Sequence, residues 1–469
     1  MSLNNTHFGA KRIEELLCGS KSVFFVGIGG INMSSLAHVS KRNGYRVGGS
    51  DRVRSSLTEK LEGEGIEIFY SHDAKNVEGY DALVYTVAIS EDNPEYVRAS
   101  ELGIPCISRA DYMGYLMTPY QRRIGVSGMH GKSTCTSMCA TTLIMADTDP
   151  TVLSGAELSL MGGAYRVGED HNKDHFLFEA CEYMDSFLDF NPNIAVILNI
   201  EMDHVDYFES LDHIKRSYRE FAEKVGESGC VVANFDDENV RDALGGIGCR
   251  VVSFGISDNA DVHAKNIAQK DGTYVFDIVA FGNTLCRVGL KVSGYHNIYN
   301  SLATAAVCLL CGLSGEQIKR GLEAFGGAAR RMEYKGSLNG ARVYDDYAHH
   351  PTEIKTTLEG AKKMLADGGR LFCAFQSHTY SRTAALLDGF AEALSVADSV
   401  LVCDIYAARE ENIYGITPEI LASKIDGARA CHGFIEPADI LAREVCERDI
   451  VIVMGAGDVW KIFGNLNLQ

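Results

Sequence analysis

Three α/β domains are predicted, each a parallel sheet covered by helices, on three observations. Short β-branched runs alternate with glycine or polar turns and helical patterns along the chain, the pattern of parallel strands joined by helices. Two glycine-rich stretches, VGIGGINMSSLA at 26–37 and GVSGMHGKST at 125–134, each follow an apolar run and open a helical one. The 469 residues exceed what one ordinary core organises, and roughly two to four domains are expected of such a length.

The first block, residues 1–119, reads as a Rossmann-like domain. Its strands are VFFV, YRVGGSD, IEIFY, DALVYT and IPCIS, with helical patterns between them. The basic, proline-containing MTPYQRR at 117–123 reads as a linker. The central block, 120–328, opens with RIGVSG and continues through FLFEA, NIAVILN and CVVANF, a parallel sheet of the phosphate-loop ATPase type. From about 261 to 292 polarity alternates between turn glycines, which predicts a small antiparallel part. The helices YHNIYNSLATAAVCLLCG and SGEQIKRGLEAF close that block. The third block, 329–469, has the strands ARVYDD, RLFCAF, SVLVCDI and DIVIVMGAG and is again Rossmann-like.

Composition narrows the function classes. With 44 Lys and Arg against 63 Asp and Glu, the formal net charge is −19, which argues against nucleic acid as a partner. An anionic small substrate needs only a few cations and backbone amides and stays open. No uncharged apolar run approaches the length of about 18 residues that spans a membrane, and the N-terminal stretch lacks the layout of a secretory signal. A cytoplasmic location is expected. The 14 cysteines are scattered, mostly within apolar runs, and read as reduced, buried thiols; Cys308 and Cys311 fall within one helix as core.

The loop at 26–37 has the outline of a dinucleotide-binding βαβ unit, with Asp51 at the end of the next strand placed to meet a ribose hydroxyl. Spacing from Gly27 puts Asn32 where the third fingerprint glycine belongs. The glycines therefore serve a tight turn, a nucleotide diphosphate at a helix N-terminus, or NAD. The loop at 125–134 carries more chemistry. Val126 stands where the longer phosphate-loop pattern has glycine, leaving the variant G-x-x-G-K-[ST]-[ST]. Gly128 and Gly131 leave successive amides free to face an anion, Lys132 can reach β- and γ-phosphates, and Ser133 can take a Mg²⁺ ligand position.

That loop resembles the ATP loop of the Mur ligase superfamily, with Met129 replacing a threonine before His130, and GIGGINMS resembles the same family's uridine-nucleotide loop. The resemblance extends through FLFEACEY, YHN, ARRMEYKG, DDYAHHP, FQSHTYSRT and DIYAAREENIYG, and so along essentially the whole chain in order. It implies ATP-dependent addition of L-alanine to the lactyl carboxylate of UDP-N-acetylmuramate through an acyl phosphate, with Mg²⁺ (or Mn²⁺) as cofactor. The implied ATP contacts are Gly128, Met129, His130, Gly131, Lys132, Ser133, Thr134, Asn297, Arg331 and Asp346. The implied UDP-sugar contacts are Gly29, Gly30, Ile31, Asp51, Thr86, Ala88 and Arg109. Ser133, Glu179 and His204 are the implied metal ligands, with Glu182 an alternative. Tyr347 and Arg382 are expected beside the amino acid, and Lys132, Glu179, His204 and His349 in catalysis, His349 by deprotonating the incoming ammonium. A monomer or homodimer is expected, without nucleic-acid or membrane partners.

Residue by residue, plainer roles remain. Asn297 can cap its helix, Arg330 can be a surface residue, and His204 can be surface or core. His349 and His350 are adjacent, point in different directions and lack a third ligand, which speaks against a metal site there. Three rival functions are a ligase attaching a preformed tripeptide to the same UDP sugar, an NAD-dependent oxidoreductase using Gly27–Gly30 and Asp51, and a nucleotide-binding regulator without chemistry. The oxidoreductase leaves GKST and DDYAHHP unexplained.

Overall fold

A computed structural model describes residues 3–169, 173–204, 207–270, 272–408 and 410–469. The fold is mixed α/β with three sheets. The chain divides into two compact units, one comprising Met1–Ala264, Ile278–Cys286 and Tyr299–Leu322, the other Lys265–Asp277, Arg287–Ile298 and Glu323–Gln469.

The first sheet holds β1 (Ser22–Val26), β2 (Arg46–Ser50), β3 (Glu67–Phe69), β4 (Ala82–Tyr85) and β5 (Cys106–Ser108), in the order β3-β2-β1-β4-β5. All its pairings are parallel, so helices cover it, and SVFFV and ALVY are buried throughout, as a strand covered on both faces must be. The order reverses between β1 and β4. That reversal opens a crevice at the strand C-termini, where the loop Gly27–Gly30 emerges.

The second sheet holds β6 (Arg122–Ser127), β7 (Thr151–Leu158), β8 (Gly163–Arg166), β9 (His175–Glu179), β10 (Ile194–Ile197), β11 (Cys230–Asn234), β12 (Arg250–Gly255), β13 (Val262–Lys270), β14 (Thr273–Ala280) and β15 (Asn283–Gly289). Their order is β15-β14-β13-β12-β11-β10-β6-β9-β7-β8. β6 lies between β9 and β10, parallel to both, so the residues at or just past the ends of these three strands converge at one edge. Those residues are the loop 128–131, Glu179 and Asn199.

The third sheet holds β16 (Glu333–Leu338), β17 (Ala341–Asp346), β18 (Leu371–Phe375), β19 (Ser399–Cys403), β20 (Arg429–Cys431) and β21 (Ile450–Met454), in the order β16-β17-β21-β18-β19-β20. Only the β16–β17 pair is antiparallel. Asp346 is the last residue of β17, at the C-terminal edge.

Helix starts divide by chemistry. Ser55, Asn93, Ser108, Ser210 and Asp237 cap their helices through their side chains. Helix Ile31–Arg42, begun by Gly30, and helix Lys132–Met145, begun by Gly131, have no side-chain cap and leave first-turn amides for an anion.

Candidate active site

The loop after β6 is held by Asn199, just past β10. Its amide oxygen accepts from the His130 amide at 2.8 Å, and its Nδ2 donates to the His130 carbonyl at 2.9 Å. The Met129 amide donates to the Asn199 carbonyl at 3.3 Å. Two glycines make this curvature possible. Gly128 has φ +142° and a Cβ there would lie 2.8 Å from Leu198 Cβ; Gly131 has φ +86° and a Cβ there would lie 2.9 Å from Asn300 Oδ1. The two loop glycines are therefore fixed by backbone shape and by close approach, Gly128 to the end of the neighbouring strand and Gly131 to the helix His296–Leu310.

Lys132 curls over this loop. Its Nζ donates to the carbonyls of Gly128 (2.6 Å) and Met129 (3.2 Å) and pairs with Glu182 Oε1 at 3.0 Å. Burial works against the ammonium, but Glu182 beside it, Cys181 and Glu179 together outweigh burial and hold the lysine pKa above its usual value. For Glu182, whose side chain is 1% exposed, burial likewise opposes ionisation; Lys132 and His204 win and hold its carboxyl below the usual range. His204 Nε2 lies 3.2 Å from the same Oε1, its ring 4.9 Å from that of Tyr183. Glu182 Oε2 is buried without a hydrogen-bond partner among the described residues.

Glu179, at the end of β9, forms the other half. Its Oε2 accepts from Ser133 Oγ at 3.1 Å, and its Oε1 accepts from the Gly155 amide (2.6 Å) and Ser154 Oγ (3.3 Å). The expected metal ligands thus fall into two adjoining sets, Ser133 with Glu179 and His204 with Glu182. The oxygens of both sets fit a Mg²⁺ site: hydroxyl and carboxylate oxygens are the donors that ion prefers, and the orphaned Glu182 oxygen has lone pairs to give, whereas the His204 nitrogen is not a donor of that kind. An ATP phosphate chain likewise fits a glycine loop whose helix lacks a side-chain cap. His130 Nε2 pairs with Glu201, two residues beyond Asn199.

Around the first glycine loop, the Gly29 amide donates to Asp51 Oδ2 at 2.9 Å and the Val53 amide to Asp51 Oδ1 at 3.1 Å. Asp51 therefore braces the loop that begins at Gly27 and leads through Gly29, Gly30 and Ile31 into the helix. Past β4, the Ala88 amide donates to Thr86 Oγ1 at 3.4 Å. Arg109 starts the helix after β5; burial pushes its pKa down, and the nearby Cys181 and Asp189 act against that.

The remaining expected residues lie in the second unit. Asp346 is 5% exposed and accepts from the Met332 (2.8 Å) and Ala348 (2.9 Å) amides. Burial raises its carboxyl to about 6, against the pull of Arg331, and Asp345 is raised to about 6 by burial against Arg330. Both guanidinium groups lie over the Tyr347 ring, Arg330 at 5.0 Å and Arg331 at 5.2 Å. His349 Nδ1 is 3.1 Å from the Tyr347 carbonyl and 3.5 Å from Glu353 Oε2. The Arg382 amide donates to Thr379 Oγ1 at 3.4 Å, and burial together with the Arg382 charge pushes the His378 pKa down. Asn297, 5% exposed and the second residue of helix His296–Leu310, donates from Nδ2 to the Ser293 carbonyl at 2.6 Å.

Sequence reasoning places Asn199 just beyond its strand, at the ligand edge, but not its grip on the loop, and does not single out Ser154 and Gly155 behind Glu179. An asparagine directly after an apolar strand, next to the phosphate-loop strand, was the available signal for the first. Nothing local marks the other two.

Three family models match the chain in order: the Mur ligase family catalytic domain over residues 22–121, the Mur ligase middle domain over 126–308 and the Mur ligase glutamate ligase domain over 330–457. A UDP-N-acetylmuramate–L-alanine ligase from Acetivibrio thermocellus is 44% identical over 448 residues, 94% of each chain. One from Caldicellulosiruptor bescii is 42% identical over 443 residues, 93% of this chain and 96% of its own. Among solved structures, a UDP-N-acetylmuramate–alanine ligase from Thermotoga maritima matches with TM-score 0.77 at 27% identity, covering 95% of this chain and 98% of its own. A murein peptide ligase from Psychrobacter arcticus matches with TM-score 0.73 at 25% identity, covering 96% and 99%. With family models spanning most of its length and relatives above 40% identity along nearly all of it, the chain belongs to the Mur ligase family.

Proposed function

We infer that this chain is an ATP-dependent ligase that adds L-alanine to the lactyl carboxylate of UDP-N-acetylmuramate, a step of peptidoglycan precursor synthesis. The observation that carries the reading is the central site, where Lys132 and Ser133 on one glycine loop face the carboxylates of Glu182 and Glu179. A carboxylate is a poor acyl donor because its oxygen is a poor leaving group. Transfer of the γ-phosphoryl group to it gives an acyl phosphate and ADP. The amine of alanine, having lost a proton, attacks the carbonyl; phosphate leaves, and the C–N bond remains.

The chain's share is positioning and charge stabilisation. The amides of Gly128 to Thr134 cradle the phosphates, and Lys132 exchanges the Gly128 and Met129 carbonyls for migrating phosphoryl oxygens. Ser133 and Glu179, with Glu182 and His204 adjoining, would hold Mg²⁺ or Mn²⁺, which would supply neutralisation of the phosphate charge. Asn297, Arg331 and Asp346 contact ATP. Gly29, Gly30, Ile31, Asp51, Thr86, Ala88 and Arg109 receive the UDP sugar, Asp51 from its position bracing the loop. Arg382 takes the carboxylate of alanine on its fork, beside Tyr347, and His349, on the Glu353 carboxylate, accepts the ammonium proton. Three domains, 1–119, 120–328 and 329–469, divide this labour in a monomer or homodimer acting in the cytoplasm. Among the described residues, no helix is long and apolar enough to cross a membrane.

The tripeptide ligase is the second reading, favoured by the Psychrobacter structure; the curated relatives at 41–44% identity all bear the L-alanine ligase name. Phosphate release from ATP and UDP-N-acetylmuramate, with L-alanine, other amino acids or the tripeptide added singly, separates them. Turnover is expected only with the UDP sugar and L-alanine together, abolished by EDTA and restored by Mg²⁺ or Mn²⁺. Turnover confined to the tripeptide would transfer the chain to the second reading.

A further inference from the structure

Residues Leu3–Gly9 cross the C-terminal ends of β4 and β5, and no role described so far uses them. The Leu3 amide donates to the Ile89 carbonyl at 3.3 Å, and Tyr85 Oη, on the last residue of β4, donates to the Asn4 carbonyl at 2.8 Å. Thr6 and Ser108, the last residue of β5, exchange amide-to-hydroxyl bonds at 3.2 Å in both directions. Asp111 is fully buried, and its carboxylate is spent on this segment: it accepts from Thr6 Oγ1 (2.8 Å), the Phe8 amide (2.6 Å) and the Gly9 amide (3.0 Å). A buried carboxylate that takes three donors from one short segment fixes that segment's course.

Between these anchors His7 is set apart. Its φ is +49°, a left-handed conformation that side-chain-bearing residues rarely adopt, and its Nδ1 lies 2.6 Å from Asp189 Oδ1. The His7 side chain is 57% exposed and that of Asp189 4%. Asp189 Oδ2 is buried without a hydrogen-bond partner among the described residues. Asp189 lies beyond β9, ten residues past Glu179, in the stretch that carries Glu182. An imidazole oriented by a buried carboxylate and turned to solvent from a strained backbone is the arrangement of a ligand-binding side chain rather than of a surface ion pair.

We propose that Leu3–Gly9 is a wall of the nucleotide-sugar site, and that His7, held by Asp189, binds the anionic, carboxylate-bearing sugar half of the nucleotide sugar. This rests on the reading above that the crevice of the first sheet receives the UDP sugar. Nδ1 donates to Asp189, and Nε2 remains for the ligand. The nucleotide half stays with the glycine loop, so the two halves are separable by experiment.

The test uses the full-length enzyme and the variants His7→Ala, His7→Gln and Asp111→Asn. In His7→Ala the KM for UDP-N-acetylmuramate is expected to rise about 10-fold, the factor for one lost hydrogen bond to a charged group, with kcat and the KM values for ATP and L-alanine within about twofold. Inhibition by UDP alone stays unchanged, and His7→Gln, which keeps a donor, recovers part of the loss. Asp111→Asn, which loosens the segment, raises the same KM. His7 is exposed, so His7→Ala reads out even where Asp111→Asn folds poorly. An unchanged KM for UDP-N-acetylmuramate in His7→Ala, or an equal rise for all three substrates, in an enzyme whose wild type turns over, would overturn the proposal alone. A wild type with no UDP-sugar-dependent turnover would overturn the functional reading, and this one with it.

Discussion

Lys132 and Glu182 make the sharpest prediction, because the same pair bears on stability and on catalysis. Lys132→Met removes the ammonium and keeps the stem, leaving Glu182, 1% exposed, with His204 as its remaining side-chain partner. Breaking a buried pair by removing one partner costs about 3–5 kcal/mol. His204 Nε2 at 3.2 Å from the same oxygen, and the 17% exposure of the Lys132 side chain, soften this to about 2 kcal/mol. Glu182→Gln strands the ammonium and is expected to lose a similar amount, whereas the double variant loses no more than about 1 kcal/mol, since neither charge is then orphaned. The pH dependence has a definite sign. The lysine holds Glu182 low, so the pair's contribution is present above the unfolded carboxylate pKa of about 4.3 and is lost as pH falls through the folded value. Without Lys132, burial raises the carboxyl, so the deficit of Lys132→Met shrinks between pH 7.5 and 5. Native-state hydrogen exchange on β6 and β10 is the assay, because a chain of several domains does not unfold in one step. ADP formation is abolished in Lys132→Met and in the double variant, while UDP-N-acetylmuramate binds within about twofold of wild type. Single-variant losses below about 0.5 kcal/mol, or a double variant that loses the sum, would refute the coupling.

Two further outcomes test the loop and the third sheet. Asn199→Ala deletes both side-chain bonds to His130, at 2.8 and 2.9 Å, and at about 1 kcal/mol for each net bond should raise the KM for ATP roughly 10- to 30-fold, with the KM for UDP-N-acetylmuramate unchanged. Asp345 and Asp346 are each raised to about 6, so the folded state holds their protons more tightly than the unfolded chain. Stability should therefore fall as pH rises from about 4 through 6 and level off above, by about 3 kcal/mol per group; Asp345→Asn should remove roughly half of that slope in a pH series of denaturation midpoints.

What could be read from the sequence follows from how local each signal is. Strand, glycine turn and helix start are local, so the three sheets and both glycine loops follow from runs such as VFFVGIGG and RIGVSGMHGKS. Glu179 was also legible, because a charged residue closing an apolar strand of a parallel sheet must emerge at the ligand edge. Side-chain direction past a strand end is not local. Glu179 and Glu182 are three residues apart, yet one turns to Ser133 and the other to Lys132 and His204, because Glu179 closes β9 whereas Glu182 lies in the irregular stretch beyond it. The same holds for Asp51, placed by its spacing for a ribose hydroxyl, whose first partners are the amides of Gly29 and Val53. A brace and a ribose contact are compatible roles for one carboxylate with several lone pairs, and a loop without the third glycine gains from the brace. The Leu3–Gly9 segment left no trace in the pattern at all: its partners lie between 81 and 182 residues away, and a short polar stretch carries no periodicity. The two buried aspartates that hold it, Asp111 and Asp189, were the only clue, since a carboxylate at a buried position requires donors and the chain must bring them from somewhere.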